Sequence, residues 1–478
     1  MYQVPHYIDN NKVFIVQRSE IEGRLEPEFY RPSIADLEKI IRGKSSHKLR
    51  DYALSVSGGA TPKKTEGDKY YADKETGVPF LRVQNLNTDG TLSFDDCLYI
   101  NMETHEGMLA RSQVSEGDLL VKITGVGRMA IASVAPEGFI GNTNQHMVVV
   151  KTGNKEISKY LARYLNLDII EKIASRHSTG GTRPALDYPS VKNLPIIEGI
   201  DFSPIDRAIE LKKQKETEAQ KLLDSIDAYI LNELGITLPK IKTDLKSRMF
   251  LVNRSELETR CDPYYSQGYF KEAFSALYRG NYPIYSIKSL SKLITSGITP
   301  KSGGEAYTDD KETGIPFIRS GNIDINGDFD FEDLLYIKPE IHETVMKSSQ
   351  VYKNDLMIAI VGATIGQVGI FLDEREANIN QAIALVRLKG GNNIQYIKEL
   401  IKSRVGQLSL NRLKRPVARA NINLEEISTI KIPLPPLAKQ QEIANHIYSI
   451  RQQAKQLQEE GKTILENAKK EVEQMIIG

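Results

Sequence analysis

The sequence predicts an α+β chain built from two related β-rich modules, each followed by a long helix. The two helices are expected to pack as an antiparallel coiled coil, giving a pseudo-two-fold internal repeat. Three observations predict this: a long duplication, strand-like stretches with turn signals in both copies, and an apolar stripe of helical spacing closing each copy. The duplication is the strongest. FIVQRSEIEGRLEP from Phe14 returns as FLVNRSELETRCDP from Phe250 with 8 of 14 positions identical, and DKETGVPFLRVQNL from Asp73 returns as DKETGIPFIRSGNI from Asp310 with 9 of 14. Thr61-Pro62-Lys63 is echoed by Thr299-Pro300-Lys301, Leu98-Tyr99-Ile100 by Leu335-Tyr336-Ile337, and Asn142-Thr143-Asn144-Gln145 by Asn378-Ile379-Asn380-Gln381, at offsets of 236 to 238 residues. A period this long marks a duplicated domain, since solenoid units run roughly 20 to 50 residues.

The elements follow in order. Residues 1–198 read as the first module, with apolar alternation and the turn signal Asp89-Gly90; residues 239–434 read as the second, with Asn326-Gly327 in the matching place. Residues 199–238 read as a helix: Ser203 is placed as the N-cap, Pro204 suits the first helical position, Asp206 favours the N-terminus, and Gly235 is the stop. Its apolar positions are Ile205, Ile209, Ala219, Leu222, Ile226, Ile230 and Leu234. Residues 435–478 read as the second helix. Ile443, Ile447, Ile450, Ala454, Leu457, Gly461, Ile464, Ala468, Val472 and Met475 follow a 4-3 spacing broken once, which is a coiled-coil seam. A seam this narrow and long is most economically buried by the equivalent helix, with Leu222, Ile226 and Ile230 facing Ile447, Ile450, Ala454 and Leu457.

Composition sets bounds. The 478 residues suffice for two or three domains, and 40% apolar with 26% charged residues describe an ordinary globular chain. Cys97 and Cys261 occupy different places in the two copies, so no disulfide framework is encoded, and a reducing cytoplasm is expected. The N-terminal stretch lacks a signal-peptide pattern. The longest apolar run, LMIAIVGATIGQVGIF from Leu356, is short and broken by glycine, as buried strands are. The net charge of +1 excludes a surface that is basic throughout. Any polyanion site must be local, and the best candidates are Lys402 to Arg419, with Arg412, Lys414, Arg415 and Arg419, and its weaker counterpart from Arg176 through Ser178 and Thr179 to Arg183. The bland alternative for both is a solvated loop and helix face.

Catalytic spacing is not found. Gly43-Lys44-Ser45 has Glu38 where a phosphate loop needs glycine, and ITGVGRMA from Ile123 lacks the acidic residue of a dinucleotide site and reads better as a tight strand-to-strand turn. The chain has no amino-methyltransferase string, and its seven histidines, including His105 and His342, show no metal-ligand spacing. No catalytic residue, metal or cofactor is expected in this chain. It reads as a binder.

The junction IKIPLPPLAKQQEIANHI, from Ile430 to Ile447, with the heptad helix behind it, resembles the segment after a target-recognition domain in specificity subunits of type I restriction-modification systems. The likeness covers essentially the whole chain, although the first junction, LPIIEGIDFSPIDRAIE, lacks the PLPPL and QQ elements. The resemblance implies a subunit without catalytic activity that binds a bipartite duplex DNA target and two adenine methyltransferase subunits, which take S-adenosylmethionine. Where restriction subunits exist, two of them join with ATP and Mg; no membrane is involved. Specificity needs base-edge contacts and positioning needs phosphate contacts, drawn from the same side chains. The candidates are Lys63, Lys64, Arg82, Gln84, Asn85, Arg176, Ser178, Thr179 and Arg183 in the first module, and Lys301, Arg319, Ser320, Asn322, Arg412, Lys414, Arg415 and Arg419 in the second. Arg82, Arg319, Asn144-Gln145 and Asn380-Gln381 are the same in both copies, which equally suits a scaffold role. Two other readings stand beside this one: an interaction scaffold or anti-restriction decoy of the same fold, and a stand-alone DNA-modifying enzyme, which would need motifs the chain lacks.

Overall fold

The two copies of the repeat fold into the same strand order. The computed structural model describes residues 7–45, 47–241, 249–254, 262–301, 303–324, 327, 329–331, 333–414 and 421–478. It divides into two units: residues 1–216 with 458–478, and residues 217–457. The unit boundaries fall inside the two long helices.

In the first unit, helix α1 (Pro32–Lys44) precedes the eight strands of the two larger sheets, β1 (Ser55–Gly58), β2 (Val78–Leu81), β3 (Leu98–Ile100), β4 (Gln113–Ser115), β5 (Leu119–Lys122), β6 (Ala132–Val134), β7 (Ile140–Thr143) and β8 (Met147–Lys151). Helices α2 (Lys155–Leu165), α3 (Asp168–His177) and α4 (Ser203–Leu234) follow. One sheet is antiparallel in the order β1-β8-β5-β6, and the other runs β3-β2-β7-β4. In the second sheet β2 and β7 are parallel, with Phe80 opposite Asn142. The β5 to β6 turn uses Gly125 and Gly127 at φ +121 and +77, a conformation glycine adopts without a Cβ penalty. The glycine-rich ITGVGRMA string is thus a hairpin corner, and Gly125 N donates to Pro184 O across it at 3.0 Å.

In the second unit, α5 (Gly268–Tyr278) is followed by β9 (Ser291–Ser296), β10 (Tyr307–Thr308), β11 (Ile315–Ile318), β12 (Leu335–Ile337), β13 (Gln350–Val351), β14 (Leu356–Ala359), β15 (Val368–Ile370), β16 (Ala377–Ile379) and β17 (Ile383–Leu388). Then come α6 (Ile394–Lys402), α7 (Arg404–Leu413) and α8 (Leu437–Ile477). The sheets run β9-β17-β14-β15 and β10-β12-β11-β16-β13, again with one parallel pair, β11 and β16. The apolar run from Leu356 is the β14–β15 hairpin. No helix among the described residues is long and apolar enough to cross a membrane.

Helices α4 and α8 pair antiparallel within each unit. In the second, Glu233 meets Lys439 at 2.6 Å and Tyr229 lies against His446 at 4.2 Å between ring centroids. In the first, Lys215 pairs with Glu460 and Gly461 packs on Lys212. The stripe is not buried by the partner helix alone, as the sequence suggested. Phe202, Ile205, Ile209, Leu465, Val472 and Ile476 join one apolar cluster with Ile41, Leu119, Val121, Val148, Leu161 and Ile173. Ile226, Ile230, Ile443, Ile447 and Ile450, with Leu222 packed on them, join Leu356, Ile358, Val386, Tyr396, Leu400 and Val405. Ala454 is also buried and Leu457 half-buried. Towards the end of α8 the seam drifts: Met475 is 61% exposed, and Leu465 and Ile476 are buried instead. A straight helix of 3.6 residues per turn drifts about 20° per heptad from a strict seven-residue repeat, which explains the shift.

The caps also differ in detail from the sequence reading. Ser203 is the first helical residue, and Asp201 caps α4 by accepting from Ser203 N at 2.9 Å. Gly235 does end the helix, at φ +65, with Ile236 N donating back to Leu231 O at 2.9 Å. Lys44 serves no phosphate loop; it donates to Ile476 O at 2.6 Å and so caps α8. Glu473 of α8 accepts from Asp168 N and Ile169 N, capping α3. Buried carboxylates complete the joints between module and helix: Asp89 with Lys212 at 2.8 Å, and Glu399 with Arg451 at 2.6 Å.

Candidate nucleic-acid interface

Because β2 and β7 run parallel, the residues following both strands emerge at one edge of the sheet. These are Arg82 to Asn85 and Asn144 to His146, joined by Asn144 N donating to Leu81 O at 3.2 Å. A third segment, Gly59 to Lys63, enters the same edge after β1. It approaches so closely that a Cβ on Gly59 would lie 1.7 Å from Thr143 O, so only glycine fits. Tyr71 Oη donates to Pro62 O at 3.1 Å, and the Thr61 hydroxyl donates to the Gln145 side-chain carbonyl. Thr61, Lys63, Gln84 and Gln145 are exposed there.

The second unit repeats the arrangement residue for residue. A Cβ on Gly297 would lie 1.6 Å from Ile379 O. Tyr307 Oη donates to Pro300 O at 3.1 Å, Thr299 donates to the Gln381 carbonyl, and Asn380 N donates to Ile318 O at 3.1 Å. Thr299, Lys301 and Gln381 are exposed and Ser320 is half-buried. The couplets Thr61–Gln145 and Thr299–Gln381 fall outside the contacts expected from the sequence. Their signal is present there, as the repeated TPK and NQ strings, but nothing local shows that the two strings meet.

Asn85 and Asn322 are not presented to a ligand. Asn85 is buried, with Oδ1 accepting from Arg82 N at 2.8 Å and Nδ2 donating to Ser93 O at 3.0 Å. Asn322 is buried likewise, accepting from Arg319 N at 2.9 Å and donating to Asp333 O at 3.2 Å. Arg82 donates to Asp96 O at 2.6 Å, and Arg319 to Asp333 O at 2.9 Å and to its carboxylate at 3.0 Å. These four residues hold the loop after the central strand, which is why both copies keep them.

Two arginines of the basic segments, Arg176 and Arg412, are half-buried and engaged within their own units. Arg176 stacks over the Phe29 ring at 4.4 Å and donates to Phe29 O at 2.6 Å. Arg412 stacks over Tyr265 at 3.9 Å and donates to Tyr265 O at 3.2 Å. A guanidinium can stack and donate at once, so each ties the end of a helix to the segment that opens its own module. Of the remaining residues, Ser178 donates to Ser175 O at 2.7 Å and Thr179 pairs with the Ala185 backbone. Arg183 is exposed, while Lys414 is half-buried, and burial lowers its pKa. Arg415 and Arg419 lie outside the described residues, as do the Lys64 side chain and Cys261. His105 and His342 are buried against the Asn142 and Asn378 side chains, at 2.5 and 2.6 Å, as structural histidines. Among the described residues, no three His, Cys, Asp or Glu are grouped to hold a metal.

Glu38 sits beneath Arg176. Burial alone would raise its carboxyl pKa, but His177, Arg176 and Arg42 overcome this and hold it at about 2, against an ordinary 4.5. A depressed carboxyl pKa stabilises the fold fully above pH 4.5, and that contribution is lost as pH falls toward 2. The shift corresponds to about 3 kcal/mol. Glu38→Gln is therefore expected to destabilise the protein by about that amount at pH 7. In denaturant titrations the gap to the unmutated chain should narrow steadily below pH 4.5. A constant gap between pH 7 and pH 3 would contradict the assignment.

With this geometry in view, residues 279–466 match the family described as the type I restriction modification DNA specificity domain. The match falls on the second copy of the repeat and most of α8. A 140-residue stretch is 33% identical to the type I restriction enzyme EcoBI specificity subunit of Escherichia coli, covering 29% of this chain and 29% of that subunit. Among solved structures, a component of a type I R-M system described for its assembly and conformational transition is similar over 90% of this chain and 95% of that one, at 15% identity and a TM-score of 0.43. The HsdS subunit from Thermoanaerobacter tengcongensis is similar over 90% and 96%, at 13% identity and 0.35. The S subunit from M. genitalium is similar over 89% and 95%, at 13% identity and 0.37.

Proposed function

We propose that this chain is the non-catalytic DNA-recognition subunit of a type I restriction-modification complex. It binds an asymmetric bipartite duplex target, one half-site per unit, and directs partner adenine-N6 methyltransferase subunits to it. The observation that carries the reading is the loop edge built twice on one scaffold: the turns and strands agree while exposed positions differ, as Gln84 does from Gly321. Base edges are discriminated by donor and acceptor pattern, so two differently furnished edges suit two different half-sites. Two methyltransferase subunits supply S-adenosylmethionine chemistry in this reading, and restriction subunits, where present, supply ATP- and Mg-dependent cleavage.

Sequencing of methylated adenines in cells carrying this chain with its partner methyltransferase tests the proposal. The expected result is one methylated adenine in each half of an asymmetric, interrupted target, on opposite strands. Methyl transfer by the purified chain alone would sink the non-catalytic reading. The net charge of +1 favours a second reading, a scaffold or decoy that keeps the fold without binding DNA. A salt titration of duplex binding separates the two, because phosphate contacts weaken with added salt.

A further inference from the structure

We infer that the couplets Thr61–Gln145 and Thr299–Gln381, with Lys63 and Lys301 beside them, grip the sugar–phosphate chain of the duplex in the same way in both half-sites and read no bases. This rests on the DNA-recognition function proposed above. Three features fix the loop in each unit: a glycine seated against a strand-end carbonyl, a tyrosine hydroxyl on the proline carbonyl, and the Thr to Gln hydrogen bond. The Thr to Gln hydrogen bond is not needed for packing a core, since Thr61, Gln145, Thr299 and Gln381 are all exposed.

The direction of the hydrogen bond decides the chemistry. The threonine hydroxyl engages the glutamine carbonyl oxygen, which leaves the amide NH2 group as the donor. In the first unit that nitrogen also lies 3.4 Å from His146 Nε2; in the second, Ala382 stands in the histidine's place. An NH2 donor matches a phosphate oxygen, which only accepts. Pairing with an adenine edge would call on the amide as donor and acceptor together. Lys63 and Lys301 place a positive charge on the same rigid loop, two residues beyond each threonine. Groups that are identical in both units cannot tell two half-sites apart, whereas phosphates are the same everywhere.

The test measures duplex affinity of the full chain against salt, on a cognate duplex from the methylation map and on an unrelated one. Gln145→Ala should weaken both duplexes alike, by about 5- to 10-fold, the size of one hydrogen bond. Being neutral, it should leave the slope of log affinity against log salt unchanged. Lys63→Ala should weaken both and lower that slope by roughly 0.9. Gln145→Glu keeps the acceptor for Thr61, and so the loop, but presents an anion to phosphate; it should weaken both duplexes more than the alanine variant. A loss confined to the cognate duplex would make the couplet a base reader and overturn the inference. So would unchanged affinity in Gln145→Glu at an unchanged melting temperature. If the unmutated chain binds neither duplex, the DNA-recognition reading itself fails and takes the inference with it.

Discussion

A fragment ending at residue 198 is expected not to fold, whereas residues 1–216 joined by a short flexible linker to 458–478 are expected to fold cooperatively. The first fragment lacks Phe202, Ile205, Ile209, Leu465, Val472 and Ile476, all of which are buried in the core of the first unit. Burial of each such side chain contributes about 1.5–3 kcal/mol, so the set is worth roughly 9–18 kcal/mol, as much as the whole stability of an ordinary domain. Lys215 and Glu460 pair across the helices, so a linker between residues 216 and 458 spans a short distance. Circular dichroism and thermal melting of both fragments would decide the matter. A sharp melting transition in the 1–198 fragment would show that the helices are accessories. In the intact chain, Val472→Asp places an unpaired carboxylate at a fully buried position. It should cost several kcal/mol and lower the melting temperature of the first unit by about 10 °C or more.

Replacing residues 61–186 by 299–422 is expected to duplicate the second half-site and make the methylated target palindromic. Each lost or gained bidentate base contact is worth about 1–3 kcal/mol, so the change should be plain in a methylation map. The geometry adds a condition. Residues 1–60 retain Glu38 and Phe29, and the incoming segment brings Arg412 in place of Arg176 but Leu413 in place of His177. The arginine finds an equivalent aromatic ring and carbonyl on Phe29. Glu38, however, loses its histidine partner, and the second unit has Phe274 at the matching position, 5.4 Å from the Arg412 guanidinium. The exchange should therefore fold best with Glu38→Phe added. A methylation map identical to that of the parent, from a folded chimera, would show that these segments do not carry sequence readout.

The parts of the fold that were legible in the sequence are those written as local pattern. The duplication, the hairpin signals and the two apolar stripes led directly to the repeated sheets and to α4 and α8. What stayed hidden depends on partners far along the chain. Arg176 and Arg412 read as DNA-facing cations because the segments 176–183 and 402–419 contain no acid, yet their aromatic partners lie 147 residues away toward the N-terminus in both cases. Asn85 and Asn322 read as loop amides because burial of a polar side chain cannot be seen without the carbonyls that satisfy it. The Thr–Gln couplets were visible only as two repeated strings, and the parallel strand pair that brings them together is a property of topology.

The split character of the first unit also bears on its synthesis. Residues 217–457 form the second unit and are made in full before residues 458–478, which complete the first. At a synthesis rate of about 5–20 residues per second, the first unit waits on the ribosome for roughly 10–50 s with its apolar groove uncovered and the N-terminus of α3 lacking the Glu473 cap. Nascent first units are in that interval open to one another and to any amphipathic helix nearby. The last turns of α8 thus act as a closing stitch, and chaperone dependence of this protein should track the time taken to translate the intervening unit.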